Sequence, residues 1–441
     1  MFFDNLSIQP DAAITLKINI TITSNATEGL NINSVDVKGL RQDLCNENEY
    51  TLNAASDVEF ISILQCTKPY NNIYVNNDTI LCPEIYNLNI IINSSDVVLD
   101  CNGAVLDGGG SGHGIYLYNK NNVTIRNCII TNFGAGIYLE NSDNNTVVNN
   151  TMMYNGLVVD DAGDPCQYFH PEPGALYIWT GVNGITVLGS DGNNISNNII
   201  NSNCDGIILL GSSNNYLLNN EVISNKINGI SFWNNWDDSK ISFNNTVVNN
   251  TANLNTWGMV FWGGGSNIII NNTANSNKGS TFSAGIYLSS STNIVSNNTA
   301  NSNHRGIHIS YSSNNTIQEN IISNNTIGIQ SQNSNSTINS NIVCGNVNFD
   351  FDSPEWLSSS GDNNTCDKPD GWNDTGITGC LYKCVQEEFD CDLNQDGIIV
   401  KDYNDLMSAY KCFLGIKNCN KINYQNWNIM KQEYECFTNN K

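Results

Sequence analysis

The sequence predicts an all-β fold, short parallel strands wound into a helix, and three observations predict it. A glycine followed by an alternating strand recurs through the middle of the chain, and paired asparagines recur five residues apart. No segment there follows the 3.6-residue apolar period of an amphipathic helix.

The glycine–strand units read "GIYLY" at 114, "GIYLE" at 136, "ALYIW" at 175, "GIILL" at 206, "GISFW" at 229, "GMVFW" at 258, "GIYLS" at 285, "GIHIS" at 306 and "GIQSQ" at 328. They step by about 21–31 residues, with one step of 39. The residues one and three after the glycine are apolar, as in Ile115 and Leu117, Leu176 and Ile178, Ile207 and Leu209, and Ile307 and Ile309. A strand turns alternate residues to one face, so these form an interior row. Short strands repeated at this period and stacked in register make a parallel β-helix. At about 4.8 Å per coil, roughly ten coils reach about 50 Å.

The asparagine motif reads "DNNTVVNNTMMYN" at 143–155 and returns as "SNNYLLNNEVISN" and "FNNTVVNNTANLN". It predicts two columns along the stack. One runs Asn122, Asn145, Asn193, Asn215, Asn245, Asn267, Asn293, Asn315; the other runs Asn127, Asn150, Asn198, Asn220, Asn250, Asn272, Asn298, Asn320, Asn341. A buried turn asparagine can bond its amide to that of the next coil, and asparagine tolerates the left-handed conformation such a turn needs. Alternation sends the preceding residue outward. Asn144, Asn149, Asn244, Asn249, Asn271, Asn297 and Asn314 stand there, each with threonine two residues on. These are N-glycosylation acceptors by pattern, although a chain rich in asparagine and threonine also writes such triplets by chance.

Over residues 78–348 these coils resemble the right-handed parallel β-helix repeat family, and "NIIINSSDVVLDCNGAVLDGGGSGHGIYL" resembles its opening coils. Lyases, glycosidases, adhesins and accessory proteins share that fold, so the resemblance implies architecture and leaves activity open.

The two ends differ from the helix. Residues 1–75 lack the repeat, and alternation in "AAITLKINITITSN" predicts a β-rich N-terminal domain. The helix is expected over 76–348, a disulfide-rich cap over 349–384 and a further module over 385–441. "NNTCDKPDGWNDTGITGC" (363–380) resembles a segment that follows such helices in archaeal surface proteins. In "DLNQDGIIVKDY", Asp392, Asn394, Asp396, Gly397 and the Ile398 carbonyl hold positions one, three, five, six and seven of a calcium loop. Tyr403, Leu406, Tyr410, Cys412 and Phe413 follow, echoed by Trp427, Met430, Tyr434, Cys436 and Phe437. The duplicated loop-helix resembles a dockerin module, which implies one Ca2+ and a cohesin-like partner. It departs from that pattern at Tyr403, where an acidic twelfth ligand belongs, and in a second loop that lacks ligands.

Fifteen cysteines in 441 residues indicate disulfides and an oxidising compartment. Expected bridges are Cys45 with Cys66 and Cys366 with Cys380; Cys412 and Cys436 in the tail are also expected in disulfides, with partners left open. "MFFDNLSIQP" has neither the basic start nor the apolar run of a secretion signal, so a mature or trimmed form of a secreted protein is expected. The net charge is −24, and about 80 residues are asparagine. Such a surface repels nucleic acid and anionic membrane. No apolar run approaches the ~18 residues of a spanning helix.

For chemistry, "GHG" at 112–114, the loop residues Asp160, Asp161, Asp164, His170 and Glu172, and the cluster His304, Arg305 and His308 are candidates. Each has a plainer reading as a repeat start, a polar loop or a solvated turn. The outward columns are more informative, because they hold Trp179, Trp233 and Trp262 beside Tyr116, Tyr138 and Tyr177. Large aromatics turned outward mark a covered or binding surface. The reading is an extracellular structural or adhesive protein, glycosylated, self-associating or docked to a surface partner. The alternative is a carbohydrate-active enzyme or a carbohydrate-binding subunit.

Overall fold

The computed structural model describes residues 66–156, 166, 183–234, 240–354, 356 and 359–384, and the backbone at 38–39 and 50–51. The chain divides into two units, Met1–Gln65 and Cys66–Lys441. In the first, Lys38–Gly39 pairs antiparallel with Tyr50–Thr51.

The second unit is a parallel β-solenoid of about eleven coils, built from a twelve-stranded sheet, an eleven-stranded sheet and a shorter third sheet. Among the described residues there is no helix longer than an isolated 3₁₀ position. A typical coil holds Asp205–Leu210 in the long sheet, Tyr216–Leu218 in the second and Glu221–Ile223 in the third. Pairing is in register with the coils on either side, as Ile207 with Ile185 and Ile230 shows. In the third sheet, single bridges through Thr251, Thr273 and Thr299 join the six-stranded part to the two-stranded part. The stack begins at Thr67, bridged to Leu81, and Ile73–Val75 already pairs with Ile90–Ile92. It continues past 348, through Phe349–Asp352, to the bridge of Thr365 with Tyr382.

The inward rows form one continuous core of isoleucine, leucine and valine, with Phe232 stacked on Phe261 at 4.8 Å. Each such side chain contributes about 1.5–3 kcal/mol on full burial. At the C-terminal end Phe351, Trp356 and Trp372 close the core, with ring separations of 5.0–5.9 Å. Cys344–Cys384 and Cys366–Cys380 tie down this end. Cys66 pairs with Cys82, 16 residues away in the next coil, and not with Cys45. A coil stacks its own neighbours within disulfide reach, which a sequence count does not reveal. Cys101–Cys128 and Cys166–Cys204 complete the bridges among the described residues; Cys412 and Cys436 lie outside them.

Asparagine ladders occupy all three corners of the coil. The third, not foreseen, runs Asn155, Asn203, Asn225, Asn255, Asn277, Asn303, Asn325, Asn346, buried throughout. At each rung the Oδ1 accepts the backbone N–H of the rung before. At most rungs the Nδ2 donates onward to the next Oδ1, back to a carbonyl of the previous coil, or both. Asn220 illustrates it: Asn198 N–H to its Oδ1 at 3.1 Å, its Nδ2 to Asn250 Oδ1 at 2.9 Å and to the Ile195 carbonyl at 2.8 Å. Two ladders end on carboxylates, Asn346 Nδ2 on Asp350 and Asn364 Nδ2 on Asp374. A last asparagine would have a donor with no next rung, whereas a carboxylate only accepts.

Three expectations need correcting. The left-handed residue is not the ladder asparagine but the one before it, as with Asn144 (φ 57°) beside buried Asn145. Asn122 and Asn127 are therefore left-handed corner residues, and Val123 and Cys128 hold the ladder positions, giving their N–H groups to Asn145 and Asn150. The strand that pairs with Ala135–Glu140 is Asn183–Leu188, not the one expected at 175, which lies outside the described residues. "ALYIW" has the right alternation, but only Gly184 stands nine residues before a ladder asparagine, Asn193, as Gly136 and Gly206 stand before Asn145 and Asn215.

Candidate functional site

The outer face of the long sheet carries clusters of aromatic and histidine side chains and one arginine, Arg305. Three positions of each long strand point outward there. The residue before the glycine is one, because a Cβ on the glycine itself would point into the stack, toward Met152 and Asn155 in the case of Gly136. The second and fourth residues after the glycine are the others, by alternation.

Toward the C-terminal half these columns bring together Trp233, Trp257, Trp262, Tyr287 and His308. Trp233 and Trp262 are partners in register, stacked at 5.3 Å. Trp257 meets Tyr287 edge-on at 5.4 Å, and Tyr287 meets His308 at 5.1 Å. Trp233 is half-buried, while Trp262 remains 50 % exposed. The next residues in its column are Ser289 and Ser310, too small to stack on its second face.

Beyond the aromatics lies a buried polar chain. The Arg305 guanidinium donates to Gln330 Oε1 and, at 2.8 Å, to the Thr281 carbonyl; Gln330 Nε2 donates to Asp352. Arg305 also packs over Phe282, 5.4 Å from the ring centre. No carboxylate touches Arg305 directly among the described residues. Burial, reinforced by the Arg305 charge, pushes His308 down to about 4 against a weaker pull from Gln332, so the ring is neutral at neutral pH. Neither of its ring nitrogens has a hydrogen-bond partner of good geometry. His304 is lowered too, by burial and then by Arg305.

At the N-terminal end of the same face, His113 lies against Tyr138 at 4.4 Å, and Tyr116 donates to Glu140 at 2.6 Å. Burial first, then the Glu140 bond, holds the Tyr116 hydroxyl well above its ordinary range. His113 of the "GHG" stretch thus belongs to an aromatic contact. Between the two clusters Thr186, Ile208, Leu210 and Ser231 point outward but are buried. Asp205 is buried with them; burial raises its carboxyl to about 6, partly offset by hydrogen bonds from Asn228.

The remaining expected site residues separate cleanly. Trp179, the loop residues 160–172 other than Cys166, and the calcium ligands Asp392, Asn394, Asp396 and Ile398 lie outside the described residues. Asn144, Asn149, Asn244, Asn249, Asn271, Asn297 and Asn314 are all exposed. Among the described residues no three His, Cys, Asp or Glu side chains gather to share a metal ion.

Two family models match the chain: the right handed beta helix region over residues 71–251, and the periplasmic copper-binding protein (NosD) model over residues 176–368. Both support the β-helix repeat. No curated protein matches in sequence. Among solved structures, the periplasmic alginate epimerase AlgG is similar at 15 % identity, over 68 % of this chain and 76 % of that one, with a TM-score of 0.50. The surface adhesin PfbA of Streptococcus pneumoniae is 14 % identical over 71 % and 89 %, at 0.41. The Azotobacter vinelandii mannuronan C-5 epimerase AlgE6 A-module is 11 % identical over 71 % and 88 %, at 0.40. At such identities the likeness is one of fold. Five disulfides among the described residues, in a fold matched by a periplasmic family model, indicate an extracellular or periplasmic location.

Proposed function

We propose that this parallel β-helix chain is an adhesive protein of a cell surface, and that its binding face is the outer surface of the long sheet, where it takes a carbohydrate chain. The observation that carries the reading is Trp262: a half-exposed indole, backed by Trp233 and bordered by Tyr287, with small serines where the next ring would stack. A solvent-facing indole beside a shelf of serines suits the C–H face of a sugar ring and its hydroxyls. Binding is favoured over catalysis because the outward carboxylates are scattered. Glu140 and Asp352 stand eight coil steps apart in the long sheet, or about 38 Å at ~4.8 Å per step. Asp205, before its glycine, is buried and stands two coil steps and five strand positions from Glu140, or about 19 Å. Glycoside chemistry needs two carboxylates within about 5–10 Å. The enzyme alternative therefore rests on the loop carboxylates Asp160, Asp161, Asp164 and Glu172.

Trp262→Ala is expected to keep the fold, because its inward neighbour Phe261 is untouched, and to weaken binding by about 2–3 kcal/mol, some 30- to 150-fold. Affinity electrophoresis through gels containing cell-envelope polysaccharide measures it. Unchanged retention of the variant, with the wild type retarded, would move the binding face elsewhere.

The tail is proposed as the attachment module, acting through a cohesin-like partner or a second copy, with Asp392, Asn394, Asp396 and the Ile398 carbonyl around one calcium ion. Isothermal titration of calcium into the full chain should show one site that Asp396→Ala removes; a heatless titration of the wild type would dismiss it. Copper binding, named in one matching family description, has no matching ligand cluster among the described residues.

A further inference from the structure

The corners of the second sheet carry side chains that neither adhesion nor the ladder uses. Asn144, Asn244 and Asn314 stand where the chain turns from the long sheet into the second. Asn149, Asn249, Asn271 and Asn297 stand where it turns from the second into the third. All seven are exposed and left-handed, with φ of 56–58°. Each precedes a buried rung, then a threonine that is only partly buried and pairs with the neighbouring coils. Among the described residues the Nδ2 groups of Asn144, Asn149, Asn249, Asn271 and Asn314 have no hydrogen-bond partner, which leaves accessible the amide that would be modified. Asn244 donates to Asn214, and Asn297 to Ser296 and Glu319, in each case at the surface.

We infer that these asparagines are N-glycosylated, in two rows that flank the second sheet. The ladder accounts for the buried asparagine of each triplet but not for the one before it. Ser266, Thr292, Ser340 and Gly192 fill the same corner in other coils, so asparagine, which enters the left-handed region more readily than serine or threonine, is favoured there but not required. In the modification the Nδ2 of asparagine bonds to the anomeric carbon of an oligosaccharide carried on a lipid phosphate. The bond from that carbon to the phosphate oxygen breaks, and the amide loses one proton to the leaving phosphate. The threonine hydroxyl two residues on completes the acceptor triplet. The rows do not depend on the adhesive reading, since they lie on other corners of the coil.

The test is glycopeptide mass spectrometry of the native secreted protein, with fragmentation that localises the added mass. The expected result is oligosaccharide on Asn144 and Asn149. Expression of Thr146→Val in the native host should then lose the mass at Asn144 and retain it at Asn149. Valine keeps the strand and removes only the hydroxyl, and the Asn149 glycan reports that the variant was folded and exported. The native measurement decides alone: all seven triplets at their unmodified mass would overturn the proposal, as would added mass at Asn144 that survives Thr146→Val.

Discussion

Replacing Asn220 by alanine should lower the stability of the solenoid by about 3–5 kcal/mol. The change removes no apolar contact of note. It leaves the Asn198 N–H, the Asn198 Nδ2, the Ile195 carbonyl and one bond of Asn250 Oδ1 without their partner, inside a dry corner. Each orphaned buried group costs about 1–3 kcal/mol, and the groups relax together, so the sum falls below simple addition. The control is next door. Asn219 is exposed and left-handed at φ 54°, and Asn219→Ala should cost only about 1 kcal/mol of backbone strain. Thermal or urea unfolding compares the two, and hydrogen exchange should show the extra opening centred on the coils of Asn198 and Asn250. Equal losses for the two variants would mean that the ladder does not hold the coils.

Gly206→Ala should be nearly as damaging, at about 3 kcal/mol or more. The glycine is used for close approach, not for a positive φ. A Cβ there would stand 2.4 Å from the Gly229 carbonyl oxygen and 2.3 Å from Val222 Cγ1. The valine can turn, but the carbonyl belongs to the next coil and is held by the sheet. Overpacking of this kind commonly costs about 1–3 kcal/mol and more when backbone must move. Here the coil spacing itself would have to widen, straining the ladders on either side. Gly109 supplies the comparison, since a Cβ there meets nothing within 4 Å, and Gly109→Ala should stay within about 0.5 kcal/mol of wild type. Similar melting temperatures for the two variants would contradict the close-approach account.

By itself the sequence determined the class of fold, the inward rows and two of the three asparagine ladders. Those features repeat, and a repeat is legible because each coil meets the same neighbours in the same register. Leu209, Phe232 and Phe261 were readable as interior from alternation alone, and all three are fully buried. The third ladder was legible in principle, since Asn155, Asn225 and Asn255 end the very motifs that name the other two.

What only the tertiary structure decided lies where the repeat is broken. The insertion before Asn183 hid which strand resumes the sheet, because "ALYIW" and "GITVL" alternate alike and only the distance to Asn193 separates them. Cys66 found Cys82 through coil stacking, which brings residues 16 apart to a Cα separation of 4.8 Å. The outward tryptophans mark a covered or a binding surface, and alternation does not choose between the two: Trp262 is half exposed, whereas Trp233 is backed by Trp262, and Thr186, Ile208 and Leu210 on the same face are buried. Alternation settles which way a side chain leaves the strand. It carries no information about what then lies over it, because that depends on segments that do not share the period.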